Sequence, residues 1–142
     1  MDERVELALK GSEFKRVMES HLDAIKKQYD FKKVDIEVLF YLSGRQDSNT
    51  PTDIYRRLGL NRGHVSQAID TLVKGGYITA LPDQDDRRSM HYVITEKADK
   101  AISQISSMKR EFEQRLLEGI SEEEKETFRK VTYKIMENLE KM

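Results

Sequence analysis

The sequence predicts a mainly helical chain interrupted once by a short two-stranded sheet, and three observations predict it. Apolar residues recur at three- and four-residue steps through both ends of the 142-residue chain, the period of a helix with one buried face. Residues 77–81 and 90–94, on either side of a charged turn, are rich in β-branched and aromatic side chains, the composition that suits a pleated strand. Between these stretches stand Gly44, Pro51, Gly59, Gly75, Gly76, Pro82 and Gly119, residues that stop regular elements.

Phe14, Val17, Met18, His21, Leu22, Ile25 and Tyr29 lie along one face of a first long helix, which Gly11 bends or frays. Asp35 is the expected N-cap of a second helix, with Val34 and Leu39 spaced as a hydrophobic staple. That helix is expected to end at Ser43-Gly44, with Gly44 in the left-handed conformation. Residues 45–50 read as a polar loop. Thr50-Pro51-Thr52-Asp53 then predicts a helix start, with Thr50 as cap, Pro51 at the first position and Asp53 as the capping carboxylate. Leu58-Gly59-Leu60 closes this helix after about two turns. Asn61 opens the next, whose apolar positions are Val65, Ala68, Ile69, Leu72 and Val73, and Lys74-Gly75-Gly76 ends it. Two short helices joined by a tight glycine turn form a helix-turn-helix.

The hairpin follows at once. Residues 77–81 make one strand, stopped by Pro82; Asp83-Gln84-Asp85-Asp86-Arg87-Arg88 is a charged turn, and residues 90–94 make the second strand. A hairpin placed there is the wing of a winged helix. Thr95 is the expected cap of a long helix with the stripe Ala98, Ala101, Ile102, Ile105, Met108, Phe112 and Leu116. Gly119 breaks it, and Ser121-Glu122-Glu123-Glu124 carries a capping box for a final helix showing Phe128, Val131, Ile135, Leu139 and Met142.

Composition excludes several classes. Twenty-five basic residues balance 26 acidic ones, giving a net charge of −1, so the chain as a whole does not attract nucleic acid. A local basic patch is nonetheless present, because residues 56–74 hold Arg56, Arg57, Arg62 and Lys74 against Asp70 alone. The absence of cysteine removes disulfides, thiolate zinc sites and thiol redox switches. His21, His64 and His91 fall on three different elements without His-x-x-x-His spacing, so no metal site is expected. No nucleophile elbow, P-loop, dinucleotide fingerprint or His-Glu-x-x-His motif occurs. Neither an enzyme nor a cofactor is expected. The longest apolar stretch, residues 38–42, is far too short to span a membrane, and Met1-Asp2-Glu3-Arg4 lacks the layout of a signal peptide. A cytoplasmic protein is expected.

The run from Leu60 to Ile78, the wing Asp83-Gln84-Asp85-Asp86-Arg87-Arg88, the segment Ile94-Thr95-Glu96-Lys97-Ala98 and the ending from Leu117 to Glu124 resemble, in order, the recognition helix, wing and following helices of MarR-type regulators. The resemblance covers essentially the whole chain, and Asp86-Arg87-Arg88 at its distance from the helix is the specific part. It implies a winged helix-turn-helix DNA-binding lobe over residues 34–95, flanked by dimerisation helices at 1–33 and 96–142. It further implies a homodimeric transcriptional regulator, typically a repressor, on a two-fold DNA operator, released by a small, often aromatic, effector. Gln67 and Thr71 stand where that family often has cations, and Ala98 where it often has glycine.

On this reading Arg62, Gly63, His64, Ser66, Gln67, Asp70 and Lys74 form the DNA-facing side of the recognition helix. Arg62 and Gln67 have the donors to meet base edges, Ser66 lies closer to the backbone, Gly63 allows close approach, and His64 suits a phosphate. Arg87 and Arg88 at the wing tip suit the minor groove, with Asp86 orienting Arg88. His21, Phe40 and Tyr41 are the candidate effector-pocket residues. The competing reading is a winged-helix module that binds protein instead of DNA.

Overall fold

A computed structural model describes residues 1–45 and 47–142, with side chains at all of these except residues 6, 7, 9 and 10. Among the described residues seven α-helices flank one hairpin: α1 (Glu3–Lys10), α2 (Ser12–Tyr29), α3 (Lys33–Ser43), α4 (Pro51–Leu58), α5 (Arg62–Lys74), β1 (Ile78–Pro82), β2 (Met90–Ile94), α6 (Asp99–Leu116) and α7 (Glu122–Glu140). The chain is therefore mainly helical with a small antiparallel wing. It forms two compact units, Met1–Arg110 and Glu111–Met142.

In the first unit, Gly11 takes φ 66° and divides α1 from α2. Helix α3 begins earlier than its expected cap. Asp35 is the third helical residue rather than the N-cap, and its carboxylate reaches back to accept from the Lys32 amide at 2.7 Å. Asp35 is buried, so desolvation raises its pKa, with the hydrogen bond from Lys32 opposing. Gly44 also departs from expectation: its φ is −105°, and its N–H folds back to Tyr41 at 3.3 Å without a left-handed residue. Of the polar loop expected over 45–50, Gln46 lies outside the described residues.

The helix-turn-helix forms as its capping chemistry dictates. Thr50 Oγ1 accepts from the Asp53 amide at 3.2 Å and Asp53 Oδ2 accepts from the Thr50 amide at 3.2 Å, starting α4. Gly59 ends it at φ 62°. The core beneath gathers Ile36, Val38 and Leu39 of α3, Ile54 of α4, Val65 and Leu72 of α5, Ile78 of β1 and Ile105 of α6, all fully buried. Each such side chain contributes roughly 1.5–3 kcal/mol by leaving water, which locks α5 onto α3 and α4.

The wing starts at Ile78, one residue later than expected: the Tyr77 amide donates back to the Leu72 carbonyl at 2.9 Å, which ties Tyr77 to the turn that closes α5. Pairing runs from Ile78 opposite Ile94 to Pro82 opposite Met90. Thr95 stands at the N-cap position as expected, but its side chain makes no capping bond. Its hydroxyl donates to the Gly76 carbonyl, and a short 3-10 turn, Glu96–Ala98, leads into α6. The polar turn after α5 thus claims the hydroxyl that local sequence assigns to a cap.

In the second unit Gly119 takes φ 78°. Ser121 and Glu124 cap α7 reciprocally, the Ser121 amide donating to Glu124 Oε2 at 2.8 Å and the Glu124 amide to Ser121 Oγ at 3.1 Å. The apolar stripe of α7 faces solvent in the single chain, with Phe128 74% exposed and Leu139 56% exposed.

Candidate nucleic-acid interface

Helix α5 begins at Asn61, whose Oδ1 accepts from the amides of Gly63 at 2.8 Å and His64 at 3.3 Å. A Cβ at residue 63 would come within 3.1 Å of that same oxygen, so glycine there preserves the cap as well as a bare backbone surface. Burial of Val65, Ala68, Ile69 and Leu72 on one side leaves the opposite side polar. Arg62, Gly63, His64, Ser66, Gln67, Asp70 and Lys74 are all exposed on it. These seven residues thus lie on one helix.

Arg62 is held from the neighbouring helix. Its Nη2 donates to the Tyr55 hydroxyl at 3.0 Å, and its guanidinium lies 5.1 Å from the centre of the Tyr55 ring. The hydrogen bond raises the Arg62 pKa and lowers that of Tyr55, because each charged form is favoured by the other group.

At the wing the acidic residues serve the turn. Asp83 Oδ1 accepts from the amides of Asp85 at 2.8 Å and Asp86 at 3.1 Å, while His91 Nε2 donates to Asp83 Oδ2 at 2.6 Å. The His91 hydrogen bond, then those two amides, hold the Asp83 carboxyl at about 2. Asp86 Oδ1 accepts from the backbone N–H of Arg88 at 2.9 Å, so its hold on Arg88 acts through the main chain and not the guanidinium. Arg87 and Arg88 are exposed. Among the described residues neither makes an ion pair. Arg88 lines a cleft of about 300 Å³ between the wing and the start of α4, facing Thr50, Pro51 and Thr52.

The three candidate pocket residues have separate partners. His21 Nδ1 meets the Val17 carbonyl at 2.8 Å within α2. Tyr41 is buried, and its hydroxyl donates to the Ser48 carbonyl at 2.8 Å. The half-buried Phe40 carries the Lys109 ammonium 4.2 Å from its ring centre. Burial lowers the Lys109 pKa, with Glu37 opposing. Among the described residues no group of three or more His, Asp or Glu could hold a metal, and no helix is long and apolar enough to cross a membrane.

Sequence reasoning missed two residues. Tyr55 falls seven positions before Arg62, and an aromatic among the basic residues of α4 was the available signal. Asn49, only 3% exposed, joins the segment before α4 to β2: its carbonyl accepts from Tyr92 N at 3.0 Å and its side-chain amide meets His91 Nδ1. No local pattern marks it, since its partner lies 42 residues away.

Comparison with known proteins finds the same fold. Residues 31–98 match the family described as winged helix DNA-binding domain. The chain is 25% identical over 120 residues to the HTH-type transcriptional regulator PecS of Dickeya dadantii (strain 3937), covering 83% of this chain and 72% of PecS. Among solved structures, transcriptional regulator PA3341 superposes with a TM-score of 0.81 at 26% identity, covering 96% of this chain and 99% of that one. A MarR transcriptional regulator from Methanosarcina mazei Go1 shares the fold, with TM-score 0.78, 21% identity and coverage of 96% and 98%. The S. aureus MepR–DNA complex shares it too, with TM-score 0.77, 24% identity and coverage of 97% and 98%.

Proposed function

We propose that the chain is a winged helix-turn-helix transcriptional regulator of the MarR type that binds duplex DNA through α5 and the wing. One observation carries this reading: seven exposed polar or glycine positions of α5 stand opposite its buried apolar stripe. Arg62 and Gln67 supply donors for base edges in the major groove, Ser66 and His64 contact the backbone, and Lys74 adds positive charge. Asp70 sits among them and disfavours off-register phosphates. Arg88, presented beside the α4 start, and Arg87 meet the minor groove or flanking phosphates. A protein-binding face would expose large apolar groups, whereas Val73 is the one such residue exposed on α5 among the described residues.

Residues 34–95 form the DNA-binding lobe in this proposal, and residues 1–33 and 96–142 the dimerisation helices. Exposed Phe128, Val131, Tyr133, Met136 and Leu139 on α7 and Phe14 on α2 support a second copy as their cover, since apolar faces of this extent favour association. A symmetric dimer would read a pseudo-palindromic operator with half-sites ~34 Å apart. A small aromatic acid is the proposed effector, with His21, Phe40 and Tyr41 as candidate contacts and the Lys109 ammonium over Phe40 as a counter-charge.

Selection from fragmented genomic DNA, followed by anisotropy titrations on selected and scrambled duplexes at several salt concentrations, tests the reading. Preference for selected sequences, with log affinity falling linearly with log salt, is expected. Absence of binding to any duplex at low salt overturns it.

A further inference from the structure

We propose that Tyr55, a residue of α4 outside the recognition helix, is a positioning residue for DNA reading: it stacks on and hydrogen-bonds the Arg62 guanidinium so that Arg62 meets a base already oriented. This inference rests on the DNA-reading role proposed for α5.

Arg62 opens α5 on the solvent side, and an exposed arginine there would otherwise sample many rotamers that DNA must freeze on binding. Two contacts restrain it. The ring of Tyr55 lies 5.1 Å below the guanidinium carbon, a distance at which an aromatic face attracts a cation. The hydroxyl accepts from Nη2 at 3.0 Å, fixing rotation in the guanidinium plane. Tyr55 is itself anchored, because its half-buried ring packs against the core. A guanidinium has five N–H donors in a planar fork. Tyr55 occupies one, leaving a two-donor edge for the acceptor pair that guanine presents in the major groove. The aromatic holder sits on α4, so the geometry of reading depends on how α4 and α5 pack and not on α5 alone.

The test is a double-mutant cycle of Tyr55→Phe and Arg62→Ala on selected and scrambled duplexes, with melting temperatures and the NMR order of the Arg62 Nε–H group in the free protein. Tyr55→Phe keeps the ring and its packing and removes only the oxygen. Expected is a roughly two- to tenfold loss of affinity for the selected duplex, the range of one hydrogen bond. Little change is expected on scrambled DNA, with an unaltered salt slope and a more mobile Nε–H. In the Arg62→Ala background the same change has no further effect. Additive effects in the cycle, or an Nε–H equally mobile in wild type and Tyr55→Phe, overturn the inference while DNA binding by the wild type stands. Failure of the wild type to bind any duplex overturns the proposed function and this inference with it, even if Nε–H order depends on Tyr55. Tyr55→Leu, which removes ring and oxygen together, is expected to lose more than Tyr55→Phe; equal losses would show that stacking contributes nothing.

Discussion

His91 donates from Nε2 to Asp83 Oδ2 at 2.6 Å, at the turn end of the wing. Because the other Asp83 oxygen accepts the Asp85 and Asp86 amides, a single carboxylate ties the second strand to the turn that carries both arginines.

This arrangement gives the wing an acid limit. The Asp83 carboxyl is lowered from 3.8 to about 2 in the folded protein. A lowered folded value means that its stabilising contribution is complete above the unfolded value and is lost as pH falls through about 2. Amide shifts of Asp85 and Asp86 should therefore hold steady down to about pH 4 and titrate below it. His91→Ala removes the largest cause of the shift and should move that midpoint upward, toward the ordinary carboxylate value. An unchanged midpoint would show that the turn amides alone set it.

Arg88 and Gln67 should separate positioning from reading. Arg88→Ala is expected to weaken selected and scrambled DNA alike and to reduce the salt slope by about one for each phosphate no longer neutralised. Gln67→Ala should cost roughly 1–3 kcal/mol on the selected duplex and little on scrambled DNA, with the slope unchanged. Should Gln67→Ala weaken both duplexes equally while Arg88→Ala weakens neither, this division of roles is wrong.

Asn61→Ala leaves the Gly63 and His64 amides without their capping oxygen and should destabilise the protein by about 1 kcal/mol in denaturant titrations. The DNA-facing end of α5 should fray first, seen as faster amide exchange at Gly63 and His64 than at Leu72. Wild-type exchange at those amides would contradict the capping role.

Leu72 is fully buried beneath the recognition helix. Leu72→Ala should cost about 2–5 kcal/mol through the cavity it leaves, lowering the urea midpoint with little change in slope. A loss under 1 kcal/mol would mean that the site collapses around the smaller side chain.

Charge on α7 tests assembly. Phe128→Asp combined with Leu139→Asp should convert a dimer to a 16.6 kDa monomer in sedimentation equilibrium, with operator affinity lost because two half-sites are no longer read together. Wild type that is already a stable monomer, binding DNA as tightly as the variant, would overturn the dimer proposal.

The order of elements and the polar face of α5 were legible in the sequence alone. Local chemistry decides them: Thr50, Asn61 and Ser121 have side-chain oxygens at the spacing that caps a helix, and Val65, Ile69 and Leu72 have the period that buries one side. Where groups distant in sequence compete for a hydrogen bond, only the tertiary structure decided. Thr95 was legible as a cap, yet its hydroxyl serves the Gly76 carbonyl 19 residues earlier. Asp86 was legible as a partner of Arg88, yet it accepts from the backbone because the two-residue spacing favours the near amide. Tyr55 meets Arg62 only because Gly59 turns α4 back beside α5. A cap needs three residues to be defined; a bond between two helices needs the core that packs them, and that core draws on residues from Leu22 to Ile105.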